Sequence, residues 1–196
     1  MPPRSLPRFV LRVFGWLVCA LAVWWFASPL LAAPVTLLAD VFSRVALPDL
    51  VRLVEQHGDK VSFVTTLHAA SATTTATASG LVSDDVDVRH YTFGLPLLAA
   101  LILAAGGPHV ARKLLAGYAL LLPFQTWGVV AEFLADVASG LGPGVASQTG
   151  FSAVEREAIA FAYQFGTLIL PTVVPAVVWV LMHRRLVESL AASRPG

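Results

Sequence analysis

Residues 161–185, FAYQFGTLILPTVVPAVVWVLMHRR, read as an apolar helix closed by two arginines, yet they carry Tyr163, Gln164, Pro171 and Pro175. A run of about 20 apolar residues is what a helix needs to cross the ~30 Å hydrocarbon core. Inside such a helix each proline withholds an N–H from the carbonyl four residues back, so Pro171 and Pro175 deprive Thr167 and Pro171 of their usual donors. Lipid offers no replacement, and neighbouring helices must supply it. The segment therefore reads as a bent, centrally packed span with Tyr163 and Gln164 at its mouth. That reading sets the class of the whole chain.

Composition agrees. Of 196 residues, 57% are hydrophobic and 13% charged, against about 25% charged in soluble domains. The net charge of +1 comes with no basic stripe interleaved with aromatics, so nucleic acid is not an expected partner. Cys19 is the single cysteine, which excludes an intrachain disulfide and a cysteine-based zinc cluster. The five histidines, His57, His68, His90, His109 and His183, are scattered and match no metal or nucleophile motif. No catalytic residue, metal or cofactor is expected from this pattern.

Four runs approach spanning length: 13–33, 91–107, 114–137 and 158–182. Arg4, Arg8 and Arg12 precede the first, Arg112 and Lys113 separate the second from the third, and Arg184 and Arg185 follow the fourth. Cytoplasmic loops carry the excess of Lys and Arg, so these three segments are expected inside, with both termini. The charge pattern closes only if all four runs cross. The first run also resembles a cleavable signal, with a basic leader, WLVCALAVWWFA and then SPLLAAP. Its apolar character continues into VTLLADVF without a clean small-x-small site, and an uncleaved anchor is the reading taken.

The expected fold class is thus an all-α polytopic membrane protein with four transmembrane helices and a small extracytoplasmic α+β insertion between the first two. Its units are residues 1–33 (cytoplasmic N-terminus and first span), 34–90 (insertion), 91–182 (three-helix region) and 183–196 (cytoplasmic tail). Within the insertion, ALPDLVRLVEQHG reads as a short amphipathic helix over 48–57 closed by Gly58. KVSFVTTL and GLVSDDVDVRHY read as paired strands, and HAASATTTATASG between them as a flexible connection.

Polar groups inside the spans turn towards other helices or a wet cavity. Glu132 and Gln164 each lie about 18 residues from the inner boundary, roughly 27 Å along a helix. They share one depth near the outer surface with Asp136, His90 and Tyr91. Solvated helix-end carboxylates are the plain reading of Glu132 and Asp136. The functional reading is an outward-facing rim of His90, Tyr91, Glu132, Asp136, Tyr163 and Gln164 that touches a substrate or partner. Gln125, deeper in its span, reads with Gln164 as interhelical hydrogen-bonding glue. Gly94, Gly128 and Gly166 permit close helix approach, and Pro171 and Pro175 bend the last span.

The order LADVFSRVALPDLVRLVEQHGDKVSFVTTL, YTFGLPLLAAL, FQTWGVVAEFL and IAFAYQFGTLILPTVVPAVVW, from about residue 38 to 179, resembles the exosortase H-associated membrane protein family. The resemblance implies a bacterial inner-membrane protein that accompanies exosortase, the enzyme that processes proteins bearing a C-terminal sorting helix. Exosortases use a Cys, Arg and His set on their extracytoplasmic face. Here the only cysteine is in the first span, which implies the companion rather than the protease. Its expected partners are membrane lipid, an exosortase and its sorted substrates. A small transporter or lipid-handling enzyme with an outward-facing polar site is the alternative. A wet cavity reaching Gln125 would favour that alternative, and a sealed bundle with an exposed apolar flank would favour the accessory.

Overall fold

The computed structural model describes residues 6–68, 80–184 and 187–188. Helix α1 (Leu6–Ala46) runs for 41 residues, well past both ends of the expected first span. Three strands follow, β1 (Val51–His57), β2 (Lys60–His68) and β3 (Leu81–Asp87), then the short α2 (Arg89–Thr92) and α3 (Gly94–Ala105). Helix α4 (Val110–Ala135) continues through a π turn, Asp136–Gly140, into the one-turn α5 (Pro143–Ala146). Helix α6 (Ala153–Gln164) passes through a second π turn, Phe165–Ile169, into α7 (Leu170–Met182). Ser152 and Glu155 form a reciprocal capping box that starts α6.

Three helical runs are long and apolar enough to cross a membrane: Leu6–Ala46, Val110–Gly140 and Ala153–Met182. The run expected as the second span, Arg89–Ala105, is apolar but shorter. Only 6% of the apolar window of α1 is buried, against 44% for α4, so α4 is the centre of the bundle and α1 its flank.

The helix expected over 48–57 is instead strand β1. It pairs with β2 in an antiparallel hairpin, with His57 opposite Lys60 and Gln56 opposite Val61. Gly58, the first of two turn residues, has φ +67°, a conformation glycine adopts without steric cost and the one such two-residue turns require. The Gly-Asp pair between two β-branched runs was therefore a hairpin signal rather than a helix stop. Strand β3 adds to β2 on its other side, Val61 opposite Val86, to give the order β1-β2-β3. The connection expected in HAASATTTATASG falls largely outside the described residues.

The sheet covers one end of the bundle. A stripe on α1, Ala32, Val35 and Ala39, packs with Val54, Phe63, Val82 and Val86 of the strands, with Val129 and Phe133 from the far half of α4 and with Val137 of the π turn that follows it. The Phe63 and Phe133 rings stack with centroids 4.3 Å apart. At the opposite, basic end a second cluster joins Phe9, Leu98, Ile102, Leu121, Val178 and Trp179.

Around the prolines, side chains reach the neighbouring backbone carbonyls. Pro34 leaves the Leu30 carbonyl without its helical donor. On either side of Leu30, Gln56 Nε2 donates to the Pro29 carbonyl at 2.6 Å and the Tyr118 hydroxyl to the Leu31 carbonyl at 3.1 Å. Before Pro171 the chain widens into the π turn, where the Leu170 N–H reaches the Phe165 carbonyl, and the Thr172 hydroxyl lies within 3.2 Å of the Leu168 and Ile169 carbonyls.

Glycines set how closely these elements meet. The Tyr91 ring lies directly on Gly128, Gly166 faces the Gly128 Cα, and the Pro171 carbonyl lies over Gly94. A methyl at residue 128 has nowhere to go, and overpacking of this kind costs about 1–3 kcal/mol. Gly128→Ala is expected to lower the melting temperature of the purified protein. Gly15→Ala, where a Cβ meets nothing within 4 Å, should leave it unchanged or slightly raised, and equal behaviour of the two variants would refute the packing role.

Candidate functional site

The polar residues near the sheet end form a seam between β3, α2, α4 and the second π turn. Tyr91 is buried, and its hydroxyl donates to Glu132 Oε2 at 2.5 Å. The Thr167 hydroxyl lies 3.4 Å from the same phenol oxygen. One side chain thus links α2, α4 and the turn before α7. Asp136 opens the π turn after α4, one helical turn beyond Glu132. Tyr163 is half-buried on α6, whereas His90 and Gln164 are exposed. The expected rim is therefore a buried Tyr91–Glu132 pair flanked by more exposed groups. Gln164, expected to join helices, points outward, and Gln125 is the buried amide.

Two residues that sequence reasoning passed over belong to this region. Asp84 of β3 is mostly buried, and its Oδ2 has no hydrogen-bond donor. Burial, followed by the nearby Asp136, Glu132 and Asp85 carboxylates, pushes its pKa up to about 7. SDDVD lies in a segment read as a strand, but its acidic residues suggest a solvated one, and only the packing of β3 on α4 brings Asp84 inside. Arg89 is the second. Its Nε lies 2.6 Å from Asp59 Oδ2 and donates to Ser28 at 3.1 Å, and its guanidinium lies 4.5 Å from the Trp25 ring centroid. Nearby, Trp24 Nε1 donates to the Thr92 hydroxyl at 3.1 Å. Arg89 thereby ties the sheet and α2 to α1, and its neighbours Trp24 and Trp25 are the amphipathic residues favoured at a membrane boundary.

At the basic end, His183 Nδ1 lies 3.2 Å from the Trp179 carbonyl, which can only accept. Its Nε2 is then the acceptor for Lys113 Nζ at 3.0 Å, so the imidazole is neutral and joins α4 to the end of α7. Among the described residues no three His, Cys, Asp or Glu side chains gather as a metal site would require.

Two of the spaces that border the helices differ sharply in size. A cavity of about 10 Å³ lies beside Gln125, lined also by Tyr91, Gly94, Leu121, Pro171 and Pro175. A much larger trough of about 580 Å³ runs between α1 and the α3–α4 pair, walled by Trp16, Ala20, Ala27, Leu95, Ala99 and Tyr118 among others. It is almost wholly apolar, and Cys19 lies along it.

A bundle of apolar spanning helices, closed at one end by a three-stranded sheet and open along one flank, defines a polytopic membrane protein. The chain belongs to the exosortase H-associated membrane protein family, whose model matches residues 3–186. No curated protein and no solved structure matches it.

The Asp84 carboxyl gives a signed test. Its folded pKa, about 7, lies above the ordinary 3.8, so between those values the folded chain holds a proton that the unfolded chain has released. This contribution to stability is present at low pH, falls as pH rises from about 4 to 7, and is fully lost above that window. Asp84→Asn should raise the melting temperature at pH 8 and flatten its decline between pH 5 and 8. A wild-type protein that becomes more stable across that range would contradict the burial of Asp84.

Proposed function

We propose that this chain is a non-enzymatic inner-membrane accessory of an exosortase-type sorting system, binding the exosortase or its substrate within the bilayer. The observation that carries this reading is the contrast between the two spaces. Gln125, the deep polar residue that a transport path would use, borders room for about one water. The flank instead presents a long apolar trough. On α1 the trough extends from Trp16 to Leu31, about 22 Å of helix at 1.5 Å per residue, which is most of a hydrocarbon core. Ala20, Ala27, Ala99 and Ala111 along it are the small residues that let another helix approach closely.

In this reading the bundle has four spans, with the short Arg89–Ala105 run as the second. Arg8 and Arg12 near the start of α1, Arg112 and Lys113 on α4, and Arg184 after α7 gather away from the sheet, which supports a cytoplasmic location for both termini. The unit 34–90 then lies outside the cytoplasm, between the first span (1–33) and the region 91–182, and 183–196 is the internal tail. At the sheet end His90, Asp136, Tyr163 and Gln164 supply a polar contact for the partner, with the Tyr91–Glu132 pair supporting them from within.

Affinity purification in mild detergent tests the reading. The wild-type chain should retain an exosortase or a protein bearing a sorting helix. Ala99→Phe, which fills the trough, should reduce that capture about tenfold, the equivalent of roughly 1.4 kcal/mol, with insertion unchanged. Equal capture by the two would remove the trough from the contact surface. A reporter fused after Gly80 checks the orientation independently, with an extracytoplasmic signal expected.

A further inference from the structure

Gln125 is 4% exposed, and its Oε1 meets no hydrogen-bond donor from the protein. An amide oxygen left unpaired in an apolar interior is costly. This oxygen belongs to a side chain that lines the cavity of about 10 Å³, about the least space that holds one water molecule. Pro171 lines the same cavity. Its carbonyl is deprived of its helical donor, because residue 175, four positions on, is also proline. That carbonyl lies against the Cα of Gly94, a contact of the weak C–H···O kind. Tyr91 also lines the cavity, but its hydroxyl already donates to Glu132. One residue with an acceptor that lacks a donor and one whose carbonyl lacks its usual donor thus line the same space of single-water size.

We propose that Gln125 and the Pro171 carbonyl hold one structural water that bridges α4 to α7 across the proline bend. Its two O–H groups go to Gln125 Oε1 and to the Pro171 oxygen. The site explains why a glutamine stands opposite a pair of prolines: the amide holds the water, and the water completes the backbone that Pro175 interrupts. It is a fixed component of the bundle and stands independently of any partner.

Gln125→Leu in the full chain, purified in detergent or nanodiscs, separates the alternatives by sign. With an unpaired oxygen, an apolar side chain of similar size removes a penalty, and the melting temperature rises or holds. With the bridging water, the substitution removes one of its two anchors and leaves the Pro171 carbonyl bare, and the melting temperature falls by about 2–4 °C. Pro175→Ala returns an N–H to that carbonyl, so Gln125→Leu should cost at most half as much in that background. Additive effects, or a Gln125→Leu variant no less stable than wild type, would overturn the proposal. Should the variant fail to fold, high-resolution density of the wild-type chain decides. A discrete solvent peak within hydrogen-bonding reach of both oxygens supports the site, and its absence or continuity with an acyl chain sinks it.

Discussion

Backbone carbonyls around the prolines of the apolar helices are the constraint around which this molecule is arranged. Lipid offers them no solvent, so any donor beyond the helix's own comes from elsewhere in the fold. Gln56 reaches across from β1 and Tyr118 from α4 to the Pro29 and Leu31 carbonyls, on either side of the one that Pro34 frees. Thr172 turns back on its own helix, and the π turn before Pro171 shifts the ladder by one residue. Each of these contacts also fixes a neighbour. The donor from β1 helps hold the sheet on α1, and the donor from α4 sets the approach of α1 to the bundle.

Much of this was legible from residue types. Hydrophobic run length marked the long spans, the β-branched KVSFVTTL marked β2, and the prolines with Gly94, Gly128 and Gly166 marked where helices come close. Burial of Gln125 followed from its depth in an apolar run. What was not legible depended on tertiary choices. VRLVEQH carries apolar residues at a spacing that suits a helix face as well as a strand, and the hairpin turn at Gly58–Asp59 decided between them. Asp84 looks solvated until β3 is laid on α4. Arg89 makes its contacts with residues 59, 28 and 25, so no local pattern announces it. Counting residues gives Gln164 the depth of Glu132, but it is exposed where Glu132 is half-buried, and a count along the helix does not say which face a residue is on.

The seam at the sheet end shows how few polar contacts are needed when each is shared. Tyr91 packs its ring on a glycine and gives its hydroxyl to Glu132, so an apolar and a polar contact are made by one side chain. Glu132 is thereby half-enclosed and partnered, while Asp84, also turned inward, has an oxygen with no donor. The two carboxylates are close in space and very different in circumstance. That asymmetry is set by which side of the sheet–helix contact each occupies.

Helix α1 is held near its start, where Phe9 stacks on Trp179 at 5.5 Å, and again where residues 32–43 pack under the sheet. Between these points α1 packs along α3, and Trp24, Trp25, Ser28 and Leu31 meet Thr92, Arg89 and Tyr118, with the trough opening beside them. Mechanically this is a beam pinned at intervals rather than only at its ends. A load on such a beam is taken up by the nearest pins, so a body seated in the trough would press first on the contacts of Trp24 and Tyr118, both of which line it.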